Sequence, residues 1–359
     1  MRIALAYNAK PSARAEIRAS GLQVLVEEEE EPPSPPGVGS DDAYAEWDDA
    51  ETILALARAL SSRHQVALAE ATGDFATRVR RATPDLVFNV AEGLHGPSRE
   101  AQVPAILEML GIPYTGSDPL TLALCLDKAR AKEILLYHGV PTAPFFVIER
   151  PDDWAEAPTL PYPLLVKPLF EGSSKGLRDD QLVNDRASLE SRVGRVLDEY
   201  RQPALVETFL PGREFTLAVL GNHPELTVLP PVEIRFDGLP AGANPFYSWE
   251  AKWVWDRREA PLHVFDCPAR LEPPERQAVE NLCRKTVRAL RIRDWCRIDV
   301  RMDQGGAPNV IEVNPLPGVL PDPKDNSCYP KAARAAGLDY DAMVLAVVQA
   351  AGRRLGWIS

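Results

Sequence analysis

The chain has 359 residues, 45% of them hydrophobic and 26% charged, enough for a sizeable core. At roughly 100–200 residues per domain, that length predicts two or three domains. Its 40 basic and 52 acidic residues leave a formal charge of −12, which speaks against a nucleic-acid partner. No apolar run approaches the ~20 residues that span a bilayer, and the N-terminus lacks both a basic, long apolar segment and a cleavage-like site, so the expectation is a cytoplasmic protein without a membrane partner.

Residues 2–7 (RIALAY) read as a strand, followed by a loop. The acidic, proline-rich patch at 27–42 cannot bury a core and is expected to be an exposed insertion. From Asp49, a helix cap, DAETILALARAL sets Ile53, Leu54, Ala57 and Leu60 on one helical face. QVALAEA, a polar helical stretch and PDLVFNVA then continue a strand–helix–strand alternation. Residues 1–117 are therefore expected to form a Rossmann-like α/β domain, though without a G-x-G-x-x-G fingerprint.

Residues 118–205 hold two short helical patterns, the strands APFFVI and PLLVKP, and a helix around 187–199, a small central α+β unit. From 206 to 359, ALVETFL, EFTLAVLG and LTVLPPVEI predict an antiparallel sheet. A helix over Pro273–Leu290, the strands WCRIDVRMD and PNVIEVN, and two terminal helices complete this C-terminal unit. The five cysteines lack C-x-x-C spacing and read as reduced thiols; Cys328 near the C-terminal motifs reads as packing before nucleophile.

The C-terminal strands carry the strongest chemical signal. Gly305-Gly306 is a turn signal that pairs them as a hairpin, bringing Asp299 near Glu312 and Asn314, which share a face. Two carboxylates and an amide oxygen are hard ligands suited to Mg²⁺, whose remaining ligands are water and phosphate. Ile298, Val300, Ile311 and Val313 are expected to point the other way into a core; the competing reading is the polar edge of an exposed hairpin.

Lys128, Lys167 and Lys252 are candidate phosphate cations, against the ordinary alternative of solvated surface lysines. Lys167 is followed by LFEGSSKG, whose backbone N–H groups and the Ser173 and Ser174 hydroxyls can wrap phosphates, or which is merely a flexible turn; Lys175 in mid-loop is expected to be solvated. Glu207 and Glu214 flank a Pro-Gly turn where Leu210 and the strand end could meet a nucleotide base.

The order of these motifs resembles the ATP-grasp superfamily, and most closely the D-alanine–D-alanine ligase family. LEMLGIPYTGSDPLTLALCLDK, FYSWEAKW, EVNPLPG and SCYPKAARAAG each resemble a family motif, and the resemblance runs from about Pro84 to Tyr340. It implies an ATP-grasp fold of mixed α/β and α+β type, ATP and two Mg²⁺ (or Mn²⁺), and a homodimer. It puts Lys128, Lys167 and Lys252 on the phosphates, with Ser174 on the same loop, Glu207 and Leu210 at the adenine and Glu214 at the ribose. Asp299, Glu312 and Asn314 would hold the metals, and Arg297 with the Gly318 backbone would bind an oxyanion. Ser173 lies on the loop that orders the substrate, and Ser327 would bind the carboxylate of the incoming amino acid.

The departures gather at one end. The family's Gly-Gly-x-Ser-x-Glu loop is replaced by AYNAKPSARAE and the acidic insertion, with Glu46 as a substitute glutamate. H-G-x-x-G-E becomes GLHGPSRE, keeping His95 and Gly96 with Glu100 displaced by about a residue, and the loop tyrosine becomes Trp253. The expected activity is ATP-dependent joining of a carboxylate to an amine through an acyl phosphate, on small amino-acid or carboxylate substrates and with an acyl donor other than D-alanine. The alternatives are an authentic cell-wall D-alanine–D-alanine ligase and, from another class, a non-catalytic nucleotide-binding scaffold.

Overall fold

The computed structural model describes residues 1–25, 44–257 and 259–358. The insertion expected at 27–42 lies outside the described residues. The first sheet is parallel, with β1 (Arg2–Tyr7), β2 (Gln23–Val24), β3 (Gln65–Glu70) and β4 (Leu86–Asn89) in the order β2-β3-β1-β4. Helices α1 (Arg14–Ala19), α2 (Ala50–Ser61), α3 (Phe75–Ala82) and α4 (Gln102–Leu110) accompany it. Alternation along β1 explains why both faces are apolar. Ile3, Leu5 and Tyr7 pack with Ile53, Leu56 and Leu60 of α2, whereas Ala4 and Ala6 pack with Phe75, Val79 and Leu107.

Asp49 caps α2 by accepting from the Thr52 N–H at 3.0 Å, an interaction worth ~1 kcal/mol. Of the expected face, Ile53, Ala57 and Leu60 are fully buried and Leu54 is half-buried. The stretch after β1, expected as a loop, instead forms a turn at Pro11–Ala13 and then α1. Pro11 suits a first helical turn, and Ile17 anchors the helix in the core.

The second sheet holds β5 (Phe145–Ile148), β6 (Leu164–Pro168), β7 (Leu182–Val183) and β8 (Ala204–Thr208), antiparallel in the order β5-β8-β6-β7. Helices α5 (Pro119–Leu126) and α6 (Lys128–Tyr137) lead into it, and α7 (Arg186–Arg195) covers it. The third sheet runs β12-β11-β9-β13-β14 with β10 on β9: β9 (Glu214–Leu220), β10 (Thr227–Val228), β11 (Val232–Ile234), β12 (Phe265–Asp266), β13 (Trp295–Met302) and β14 (Pro308–Asn314). Helix α8 (Pro273–Leu290) packs beneath it, and α9 (Cys328–Ala335) and α10 (Tyr340–Arg354) end the chain.

One expectation needs correcting here. ALVETFL was expected in the C-terminal sheet, yet β8 pairs with both β5 and β6, so the change of sheet falls between Thr208 and Glu214 rather than near 205. The turn that makes the change closes on β13: the Gly212 N–H donates to the Met302 carbonyl at 3.0 Å, and a Cβ at Gly212 would lie 2.5 Å from that oxygen. Only glycine permits this approach.

The chain then folds back on itself. α10 packs on α2 in the first core, and Trp295 of β13 stacks edge-to-face on Phe88 and Tyr329 at centroid distances of 5.7 and 5.4 Å. The first and third sheets thus share one core, and the open space lies against the second. Among the described residues, no helix is long and apolar enough to cross a membrane.

Candidate active site

A cavity of about 400 Å³ lies where the three sheets face one another. Its floor is the β13–β14 hairpin. Asp299 stands opposite Glu312, and Arg297 opposite Asn314, so four polar side chains occupy one face. Asn314 Nδ2 donates to Asp299 Oδ2 at 3.4 Å and Thr216 Oγ1 donates to Asp299 Oδ1 at 2.9 Å. Ile298, Val300 and Val313 go into the core as expected, but Ile311 does not. A bulge puts Val300 opposite Val310, which leaves Ile311 as the extra residue and turns it to the cavity.

The carboxylates of this face are held by cations. Lys128 Nζ lies 3.2 Å from Glu312, and Arg297 Nη2 lies 2.9 Å from Asp299. Burial alone would push the Glu312 carboxyl up, but Lys128, Lys167 and Arg297 outweigh it and hold it below the usual range. Asp299 is raised by burial, with Arg297 opposing. Oxygen donors from two carboxylates and one amide fit a hard divalent cation that completes its shell with phosphate and water. Among the described residues, no group of three or more His, Cys, Asp or Glu forms a cage of its own, so any metal here depends on outside ligands.

Three lysines converge on the same space. Lys128 opens α6 after the Asp127 cap and also donates to the Glu171 carbonyl. Lys167 near the end of β6 pairs with Glu207 at 2.6 Å. Lys252 sits on a wide helical turn, Ala251–Trp255, and its ammonium is pulled down to about 8, first by burial and then by Arg297. Glu207 is gripped twice, since Lys132 approaches its other oxygen at 2.7 Å. Burial would raise this carboxyl, but Lys132 and Lys167 bring it down to about 2. Phe209 and Leu210 line the cavity beside it. Glu214, facing Arg301 across β9 and β13, forms a buried ion pair with it at 2.7 Å.

The loop after β6 is tied to the segment carrying Lys252. Ser173 and Ser174 have φ of 50° and 60°, two successive left-handed residues that curl the loop around its own N–H groups. Ser174 Oγ donates to the Tyr247 carbonyl at 3.1 Å, and Trp253 Nε1 donates to the Ser173 carbonyl at 3.1 Å. Lys175, expected to be solvated, is instead paired with Glu171 at 2.7 Å and largely buried, because the curled loop brings positions four apart together.

Glu46 reaches this loop from the first domain. It accepts from the Gly172 N–H at 2.6 Å, and Arg99 Nη2 donates to both of its oxygens at 2.8 Å. Burial would raise the Glu46 carboxyl, but Arg99 and then Lys175 hold it below the usual range. Around it the cavity wall is acidic. Asp48 is pushed up to about 7 by burial and by Asp49, and Glu100 up to about 8 by burial with Arg99 opposing. Glu92 is raised well above the usual range by burial and then by Glu100. Among the described residues, no hydrogen bond or ion pair engages these three side chains.

His95 does not line the cavity. Gly93 takes a left-handed φ of 79° with its would-be Cβ only 2.4 Å from the Arg99 carbonyl, and the chain turns outward there. Glu92 is left lining the cavity while His95 is exposed, its carbonyl accepting from Gln102 Nε2. At the opposite end, Ser327 stands just before α9, but its hydroxyl does not cap the helix. It donates to the Gly318 carbonyl and accepts from the Leu320 N–H, each at 3.2 Å. Cys328 beside it is pushed up to about 11 by burial, which disfavours the thiolate that a nucleophile needs.

A family profile described as the D-ala D-ala ligase C-terminus matches residues 134–349. The chain is 36% identical to a D-alanine–D-alanine ligase of Chromohalobacter salexigens over 266 residues, covering 74% of this chain and 77% of that one. It belongs to the D-alanine–D-alanine ligase family. It is also 36% identical to an uncharacterized protein of Sinorhizobium fredii, covering 81% of this chain and 84% of the relative. In fold it matches a D-alanine–D-alanine ligase from Bacillus anthracis complexed with ATP, with a TM-score of 0.67 at 22% identity over 99% of this chain and 98% of that one. This member of the family is therefore an ATP-grasp protein and an ATP-dependent carbon–nitrogen ligase acting on small molecules.

Sequence reasoning did not reach several residues that line this ligase's cavity or stand directly behind its wall. Arg301 continues the every-second-residue charge pattern of Arg297 and Asp299 on β13, a readable signal. Lys132 lies one helical turn beyond Lys128, which marks it as sharing a face. Arg99, Glu92 and Asp48 carry no comparable local signal, because their meeting depends on how the first sheet's loops fold over the cleft.

Proposed function

We propose that this ligase binds ATP with two Mg²⁺ in the cavity and couples its cleavage to amide formation between an amino acid and a carboxylate other than D-alanine. Lys128, Lys167 and Lys252 would meet the phosphates, Glu207 and Leu210 the adenine, and Glu214 the ribose. Asp299, Glu312 and Asn314 would hold the metal, which supplies charge neutralisation at the transferred phosphoryl group. The donor carboxylate takes the γ-phosphoryl group, giving an acyl phosphate and ADP. The amine then attacks the acyl carbon and phosphate leaves, with Arg297 and the Gly318 backbone on the oxyanion. The joined loops of Ser173 and Trp253 keep water from the acyl phosphate.

The observation behind the donor assignment is the buried pair of Glu46 and Arg99. The glutamate expected to grip the first substrate already has its charge spent on an arginine, at 2.8 Å from both oxygens. The carboxyls left open at that end are Asp48, Glu92 and Glu100, and Trp253 offers only a donor, already given to Ser173. A site built around different hydrogen bonds selects a different donor. The competing reading, D-alanine as donor, draws support from the D-alanine–D-alanine ligases among the relatives. Mg²⁺-dependent ADP release, measured with D-alanine alone and with D-alanine plus a panel of amino acids and other carboxylates, separates them. The proposal expects release to need a second compound, and full release with D-alanine alone would remove it.

A further inference from the structure

The pairing around Glu207 uses one lysine more than a cavity cation needs. Lys167 lines the cavity, whereas Lys132 sits behind its wall and is only 2% exposed. The Lys132 ammonium has three partners besides the face of Phe145: Glu207 Oε2 and Thr142 Oγ1, each at 2.7 Å, and the Ala143 carbonyl at 3.4 Å. Thr142 in turn donates to the Val310 carbonyl on β14 at 2.6 Å, so this lysine joins the second sheet to the metal-face hairpin.

A buried lysine is costly unless its charge is needed or neutralised. Here the neutralisation is only partial. Two ammoniums against one carboxylate leave the cluster with one net positive charge, and of the two cations only Lys167 lines the cavity. If Lys132 were neutral in its place, the Lys167–Glu207 pair would cancel and Lys167 would offer the cavity a dipole instead of a charge. Burial pulls the Lys132 ammonium down, and the 2.7 Å contact with a carboxylate that is itself held at about 2 opposes that pull.

We propose that Lys132 is a positioning and charge-balancing residue for the anion subsite: it takes up the charge of Glu207 from behind, so that Lys167 keeps a full positive charge for the polyphosphate of the nucleotide. This rests on reading the cavity as the nucleotide site. The alternative is that Lys132 only holds two sheets together, in which case its charge does not matter to an anion.

Calorimetric titration of the whole chain with ATP and with inorganic tripolyphosphate decides between them, using wild type, Lys132→Met, Glu207→Gln and the double variant. Lys132→Met is expected to weaken tripolyphosphate binding about tenfold, ~1.4 kcal/mol. For tripolyphosphate, which has no base for Glu207 to meet, the double variant, which removes one charge of each sign, is expected to return to within about threefold of wild type, and Glu207→Gln alone to bind it at least as tightly as wild type. A merely structural lysine predicts no such rescue. The proposal is overturned if Lys132→Met binds tripolyphosphate like wild type, or if the double variant is as weak as the single one. Should Lys132→Met not fold, weaker tripolyphosphate binding by Glu207→Gln overturns it just as well. Wild type that binds neither ligand overturns the nucleotide reading instead.

Discussion

Replacing Arg99 with methionine tests the buried pair on which the donor proposal rests. Arg99 and Glu46 side chains are 9% and 8% exposed, and one guanidinium nitrogen serves both carboxylate oxygens at 2.8 Å. Removing one partner of a buried pair strands the other charge and costs ~3–5 kcal/mol. Glu46 keeps the Gly172 N–H and the field of Lys175, so ~3 kcal/mol is the expected loss. Arg99→Met/Glu46→Gln strands no charge and should recover ~2 kcal/mol of it. Urea unfolding followed by tryptophan fluorescence measures both. The sign of the pH dependence follows from the depressed Glu46 carboxyl, whose stabilisation is present above its unfolded value of ~4.3 and lost as pH falls through the folded value, so wild type and Arg99→Met converge in acid. A cost below ~1 kcal/mol, or a double variant no better than Arg99→Met, refutes the idea that Glu46 is committed to Arg99.

Three further outcomes are expected. Glu312→Gln should fold normally yet lose Mg²⁺-dependent ADP formation; activity retained within about tenfold, ~1.4 kcal/mol in the barrier, means the metal face is misassigned. Lys167→Ala should weaken ATP binding far more than Lys175→Ala, since the first strips both the cavity cation and a partner of Glu207 while the second breaks a loop ion pair with Glu171 and removes a field on Glu46, and calorimetry giving the reverse ranking contradicts this. Lys252 is a cation below about 8 and neutral above it, so ATP affinity should fall as pH rises through that value and the fall should vanish in Lys252→Ala; an unchanged profile in the variant assigns the dependence elsewhere.

The candidate metal face and the first two candidate phosphate lysines were legible because each sits on or at the end of a regular element. Asp299, Glu312 and Asn314 follow from strand alternation and a glycine turn, and Lys128 from a helix cap. The bulge at Ile311 was not, since no residue in IEVN marks an extra position. The sheet assignment of β8 failed because an apolar strand reads the same whichever neighbours it pairs with, and only the approach of Gly212 to Met302 fixes where the chain crosses over. The outward position of His95 was illegible for a related reason. A family motif gave its type, but the turn at Gly93 decides that Glu92 takes the inward place. Glu46 was legible as a candidate residue of the cavity, which it lines, and illegible as one paired with Arg99, because that pairing joins positions 53 apart through tertiary structure alone.

The most direct test is mass spectrometry of the products formed from ATP, Mg²⁺ and D-alanine, with and without the carboxylate panel. No D-alanyl-D-alanine from D-alanine alone, and an amide formed only when a second compound is present, together with ADP and phosphate in equal amounts, is the predicted result. Efficient accumulation of D-alanyl-D-alanine from D-alanine alone would contradict the account, because it would mean that Glu46, bound to Arg99 as it is, leaves the family's own donor undisturbed.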